Sequence, residues 1–234
     1  MPSERVEQRR EGVREEIKQA ARRLMAEHGT AGLSLRAIAR EINMLPSGLY
    51  HYYGSLDDLI TALIVDAFNA LADALEAARE TAAGPGSAAQ LTAVLEAYRR
   101  WAMTHPTDFQ LIYGNPIPGY AAPREITVPP VIRGFSVIVG LIENLLQSGV
   151  LEAAPPYDVI PPEVEARLQT LIERDGYPVS ARALFLGVVG WTQLHGIIML
   201  EMFNHIQPVI GDVETFYRAQ VINLLKTLGL KTAI

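Results

Sequence analysis

Cysteine is absent from this 234-residue chain, which excludes disulfides and thiolate metal sites and fits a reducing compartment. No apolar run is expected to reach the roughly 18 residues that a membrane span needs without meeting a charge. The N-terminus, Met-Pro-Ser-Glu-Arg, has neither the apolar core nor the cleavage site of a secretory leader. A soluble, cytoplasmic protein with no membrane partner is the expectation. Cofactor signatures are missing too. Gly84-Pro85-Gly86 lacks the third glycine and the βαβ setting of a phosphate loop, and no local Ser-His-Asp or Cys-His pattern occurs. Glu201 and His205 have the i, i+4 spacing of a chelating pair, but no third ligand accompanies them. Neither a metal nor a cofactor is expected.

An excess of positive charge is also missing, since the formal net charge is −6. Its distribution qualifies that. Residues 1–60 are neutral, with nine Lys/Arg against nine Asp/Glu, and residues 61–234 carry the whole deficit. A neutral head on an acidic body permits DNA binding without demonstrating it, so a motif must carry any such claim.

The chain is 49% hydrophobic, and its apolar residues recur at 3–4 spacing with no sustained alternation. The fold class is therefore all-α. A first helix reads from about Glu11 to Glu27, with Val13, Ile17, Ala20, Ala21 and Leu24 on one face and Gly29 as a left-handed cap. Ser34 caps a second helix, Leu35 to Ile42. After the turn Asn43-Met44-Leu45, Pro46 opens a third that runs to about Tyr53. Ser55 and Asp58 form a capping box for a long fourth helix, to about Thr81. Beyond the Gly84–Ser87 break, helices are expected at about 88–104, 107–113, 130–148, 163–174, 180–205 and 212–229. Two proline-rich surface connections, Gly114 to Pro130 and Pro155 to Pro162, separate them. The organisation reads as a flexible arm over 1–10, a three-helix domain over 11–70 and a larger helical domain over 71–234.

Two short helices joined by three residues cross steeply, so that the first supports while the second enters the major groove. Leu35, Ile38, Ala39, Ile42, Leu49 and Tyr53 supply a small shared core, leaving Ser47, Gly48, Tyr50, His51 and Tyr52 outside. Tyr50 and Tyr52 are read either as DNA contacts or as packing aromatics, and His51 either as a contact or as solvated. The arm, with Arg5, Arg9, Arg10 and Arg14, is read either as a groove-binding extension or as a solvated tail among glutamates.

The stretches AARRLMAEHG (20–29), LSLRAIAREI (33–42) and PSGLYHYYGSLDDLITAL (46–63), with their spacing, resemble the tetracycline-repressor (TetR) family of bacterial regulators. The resemblance covers residues 11–65. It implies a DNA-binding head followed by a variable helical domain that dimerises and binds ligand. By position it implies that Ser34 and Arg36 hold backbone phosphates, that Leu45, Ser47, Gly48, Tyr50 and His51 face the groove, and that Tyr52 offers its hydroxyl to a phosphate. Two departures stand out. Asn43 occupies a turn position usually held by Gly, whose left-handed conformation Asn tolerates. Leu56 stands where a phosphate-binding Lys is common, and that contact is lost.

In the C-terminal half, Leu184, Val188, Trp191, His195, Ile198 and Met202 line one face of helix 180–205. Val213, Phe216, Tyr217, Val221, Leu224 and Leu228 line one face of helix 212–229. Two such late helices suit a four-helix interface with a second copy, which would space two recognition helices for a palindromic operator. GWTQLHGIIMLEMFNH (190–205), with HPTDFQLIYGNPIPGY (105–120), resembles the C-terminal domain of a TetR subgroup named for a Trp-His-Gly signature. Trp191 and His195 lie one turn apart and are expected to line a mostly apolar cavity with Trp101, Phe109, Tyr113 and Phe135. The alternative is that His195 is a satisfied core histidine. The expected function is a one-component regulator, a repressor that leaves a palindromic operator when a small, largely apolar ligand shifts the dimer. The competing readings are a helical enzyme or carrier, which would need clustered titratable groups in the body, and a scaffold that has lost DNA binding.

Overall fold

A computed structural model describes residues 4–82, 84 and 86–231, so the arm's first three residues and Pro85 of the predicted break lie outside the described residues. Among those described, the regular structure is helical, apart from one antiparallel bridge between Leu151 and Leu230. The contacts divide the chain into two compact units, Met1–Phe68 with His105–Thr127, and Asn69–Thr104 with Val128–Ile234.

In the first unit, α1 (Glu4–His28) buries Ile17, Ala20, Ala21 and Met25 on one stripe. It starts seven residues before the periodicity indicates. Residues 5–10 are all exposed, so no buried face marks them, and Glu, Gln and Arg favour helix on propensity alone. After a 3₁₀ turn (Thr30–Gly32) come α2 (Leu35–Glu41) and α3 (Pro46–Leu49). Gly29 adopts φ 69° and ψ 178°, a conformation open to glycine alone but not the left-handed helical cap expected. α3 is one turn rather than two. The amide N–H groups of His51 and Tyr52 donate to Gly48 and Leu49 at i−3, which tightens the chain into a turn before Gly54. Asn43 takes φ 52°, the positive angle its side chain makes tolerable.

α4 (Leu56–Thr81) begins in this unit, with Ser55 Oγ accepting from the Asp58 N–H at 3.1 Å. α6 (Pro106–Tyr113) and the chain to Thr127 also belong here; the sequence places them in the second domain. Leu111 is buried in the same core as Ile17, Ile38, Leu49 and Leu59, with Ile117 and Tyr120 packed against it. Tyr120 Oη lies 2.9 Å from Thr61 Oγ1, and Arg22 Nε donates to both oxygens of Asp108 at 2.9 and 3.2 Å. Burying a Leu or Ile side chain is worth about 1.5–3 kcal/mol, which makes α6 a structural part of this unit.

The second unit holds the end of α4, α5 (Ala88–Thr104), most of α7 (Arg124–Gln147), α8 (Pro162–Asp175), α9 (Ala181–Met202), the short α10 (Gln207–Ile210) and α11 (Val213–Leu228). α7 starts at Arg124, inside the region expected as a proline-rich connection, and runs through Pro129 and Pro130. These prolines leave the carbonyls of Glu125 and Ile126 without helical donors, a cost that is small because both residues are exposed. Ser180 and Asp212 cap α9 and α11 through the amides of Ala183 and Thr215.

Contrary to the expectation from run length, two helices, α7 and α9, are long and apolar enough to cross a membrane. Both pack into this unit's core, through Val137, Leu141 and Leu145 on α7 and Leu184, Leu186, Leu194 and Ile198 on α9. The faces expected to meet a second copy are also largely internal. Leu184, Ile198, Val213, Tyr217, Val221, Leu224 and Leu228 are buried within the chain. The apolar groups that α9 leaves outside are Val188 and Leu200, joined by Phe203 at its C-cap and by Val209 and Ile210 of α10. The wide apolar stripe therefore serves the protomer's own core first.

Candidate nucleic-acid interface

Leu49 and Tyr53 are buried beside Ile38 and Ala39, which fixes α3 against α2. With that anchor set, helical geometry decides which neighbours face outward. Leu45 is 76% and Tyr50 56% exposed, and Ser47 and His51 are exposed as well. Gly48 and Tyr52 are half-buried. A Cβ added at Gly48 would lie 3.3 Å from Met44 Cγ, and Tyr52 packs against the head's core, so these two combine structural duty with their position on the surface. Ser34 Oγ accepts from the Ala37 N–H at 3.1 Å, which leaves its own hydroxyl proton for another acceptor. Leu56, in place of the common lysine, is half-buried and packs against the core cluster.

The pairing of charges matters more here than their count. Lys18 meets Asp66 at 2.7 Å and Glu15 at 2.9 Å, Arg22 meets Asp108, and Arg23 meets Glu41 at 3.0 Å. Arg5, Arg9, Arg10, Arg14, Arg36 and Arg40 make no ion pair with a carboxylate among the described residues. Six guanidinium groups of the head are thus without an ion-pair partner among the described residues, although the head's formal charge stays zero. Arg10 Nη2 donates to the His51 carbonyl at 3.3 Å, which brings the first helix's N-terminal extension to the recognition turn. Arg14 lies over the Tyr53 ring at 5.8 Å. Arg40, one turn beyond Arg36, was legible from its i+4 spacing although the sequence reading did not select it. The placement of Arg10 was not, because it depends on α1 reaching back to Glu4.

Of the six residues expected to line one ligand cavity, Phe109 and Tyr113 belong to the first unit and Trp101, Phe135, Trp191 and His195 to the second. Phe109 and Tyr113 pack together at 5.1 Å in the first unit, where Tyr113 also meets Phe68 edge-on. In the second unit Trp101 is buried, and Phe135 meets the edge of Tyr177 beside Val139 and Leu184. Trp191 and His195 come together, with ring centroids 5.1 Å apart. Their partner is one that the sequence reading missed. Trp191 Nε1 donates to Tyr98 Oη at 3.1 Å, and Tyr98 Oη lies 2.7 Å from His195 Nδ1. An indole nitrogen only donates, so Tyr98 Oη accepts from Trp191 while also sharing a hydrogen bond with His195 Nδ1. Burial lowers the His195 pKa, in keeping with a neutral ring. No periodic signal could pair Tyr98 with residues almost a hundred positions later. The neighbouring apolar cavity, lined by Leu91, Tyr98, Ile138, Gly187, Trp191 and Leu224, is about 20 Å³, room for one water. Glu201 is held by Arg99 at 2.8 and 2.5 Å, and His205 is exposed.

Comparison with known proteins assigns both parts of the chain. Residues 17–63 match the family described as bacterial regulatory proteins, tetR family, and residues 91–224 match that described as tetracyclin repressor-like, C-terminal domain. HTH-type transcriptional regulator Rv1816 of Mycobacterium tuberculosis is 34% identical over 223 residues, covering 94% of each chain. Its counterpart Mb1846 of Mycobacterium bovis matches to the same extent. Among solved structures, SCO4313, described as a regulatory protein, is 32% identical with a TM-score of 0.77, and the match covers 97% of this chain and 100% of that one. The TetR-family regulator PfmR of Thermus thermophilus shares the fold at 19% identity and a TM-score of 0.60, over 92% and 99% of the two chains.

Proposed function

The chain belongs to the TetR family of bacterial transcriptional regulators, DNA-binding proteins rather than enzymes, and from that premise we propose that it is a homodimeric repressor of a palindromic operator, released by a small, largely apolar ligand. The observation that carries this reading is the outward set Leu45, Ser47, Tyr50 and His51 on a turn anchored by Leu49 and Tyr53, flanked by arginines without carboxylate partners among the described residues. Base edges are read by Ser47, Tyr50 and His51, with Leu45 offering apolar contact to a thymine methyl. Ser34, Arg36 and Tyr52 hold phosphates, and Arg10, Arg14 and Arg40 take over the role left by Leu56. Gly48 keeps the backbone close to the groove.

A second copy covers Val188 and Leu200 of α9 and Phe203 at its C-cap, together with α10, because an exposed apolar stripe of this kind on a long helix is most readily buried by its symmetry mate. The effector enters beside Tyr98, Trp191 and His195, whose meeting also favours the Trp-His-Gly subgroup. Since the cavity there holds only about 20 Å³, the ligand must select a more open state, and its preference for that state is what shifts the dimer. Such a regulator acts in the cytoplasm, where its operator is. A mobility-shift titration with the DNA upstream of its own gene tests the reading. A sequence-selective complex that Tyr50→Ala with His51→Ala abolishes, at unchanged dimer mass, supports it. A complex indifferent to sequence or to those changes refutes it.

A further inference from the structure

One further cleft in the second unit is large, polar and unused by the reading above. It measures about 360 Å³ and is lined by residues near the ends of α5 and α9 and in the first turns of α11, among them Arg99, Arg100, Met103, Glu201, Tyr217 and Arg218. A buried ion pair forms its floor. Arg99 donates from Nε and Nη2 to the two oxygens of Glu201 at 2.8 and 2.5 Å, with Glu201 only 9% exposed. The guanidinium lies 5.7 Å over the Tyr217 ring. Burial pushes the Tyr217 hydroxyl's pKa up, and the hydroxyl donates its proton to the Leu95 carbonyl at 2.9 Å. Desolvating such a pair seldom stabilises a fold more than apolar residues of the same volume would.

The sign of the available charge follows from the pairings. Glu201 is bound by Arg99, while Glu96 and Glu214 are bound by Arg218 at 3.3 and 2.9 Å. All three carboxylates of the cleft are engaged. Arg100 is exposed and has no carboxylate partner among the described residues, and the forks of Arg99 and Arg218 have more N–H donors than their bonds use. What the cleft still offers is therefore donors on cationic groups, next to Met103 and Tyr217, which also line it. We propose that this cleft is a binding site for a small organic carboxylate, with the carboxylate on Arg100 and the spare donors of Arg99, and an apolar tail against Met103 and Tyr217. Planar guanidinium groups recognise carboxylates in two-point fashion, and the volume suits a molecule of about ten heavy atoms. The proposal goes beyond operator binding and does not depend on it.

Isothermal titration of the full-length protein at fixed ionic strength tests it, with sodium benzoate as the probe and sodium phosphate as the comparison. Benzoate is expected to bind saturably, to shift the Met103 methyl resonance, and to lose about tenfold in affinity in Arg100→Ala, the usual effect of deleting one charge-assisted contact. Arg100 is exposed, so Arg100→Ala should unfold at the same temperature as the parent. Arg40→Ala, in the head, should bind benzoate as the parent does. Absence of saturable binding, unchanged affinity in Arg100→Ala, or tighter binding of phosphate than of benzoate would overturn the assignment.

Discussion

Replacing Gly187 by Ala sets two well-characterised effects against each other. In an exposed helix interior the change gains about 1 kcal/mol, because Ala loses less backbone entropy. At Gly187, however, the new Cβ would lie 2.5 Å from Val139 Cγ1 and 3.5 Å from Phe135 Cζ. Ordinary carbon contacts are about 3.5–4.0 Å, so roughly 1 Å must be found. Val139 is fully buried and, being β-branched in a helix, has essentially one rotamer, so it cannot swing away. α7 and α9 must separate instead, and overpacking of this kind costs about 1–3 kcal/mol. The net expectation is a loss of up to about 2 kcal/mol in Gly187→Ala. Gly140→Ala, with nothing within 4 Å of the new Cβ, should gain about 1 kcal/mol on the same helix pair. Urea unfolding at one protomer concentration measures both, and adding Val139→Ala to Gly187→Ala should recover part of the loss. If Gly187→Ala proves as stable as Gly140→Ala, close approach of the two helices is not what keeps the neighbouring cavity at about 20 Å³.

Three other outcomes are expected. Arg22→Met strands Asp108 in a site where both side chains are under one-fifth exposed, and should cost about 2–3 kcal/mol; adding Asp108→Leu should restore most of it in thermal unfolding. The His195 pKa is lowered by burial, so the unfolded chain takes up a proton below about pH 6.5 that the folded chain resists. Stability should be flat above that pH and fall below it until the folded value is reached, and His195→Gln should flatten the profile. Leu200→Arg with Phe203→Arg places two charges on the exposed end of α9 and its C-cap and should give monomers in sedimentation equilibrium, while an unchanged dimer would move the interface elsewhere.

The head was legible because its signals are local. Ser34, Pro46 and Ser55 mark helix starts by chemistry that acts within three residues, and the 3–4 spacing of Ile17, Ala20 and Ala21 marks a buried face directly. Signals that depend on distant partners were not legible. The assignment of α6 to the first unit rests on Arg22 meeting Asp108 and Thr61 meeting Tyr120, contacts that no period encodes. Apolar stripes on α9 and α11 declared burial but not whether the partner is the same chain, and here much of each stripe faces its own core. The expected cavity lining rests on aromatic type alone, and Tyr98, which meets Trp191 and His195, carries no local signal that could have added it. The start of α1 was missed for the opposite reason, since a solvated helix has no apolar face to betray it.

The most direct test of DNA recognition through α2 and α3 is the salt dependence of the operator complex in the parent and in Arg36→Ala. Each phosphate neutralised contributes about 0.9 to the slope of log K against log salt, and a dimer loses two contacts with this change, so the slope should become shallower by about 2. A slope identical to the parent's would place the DNA on some other surface of the molecule.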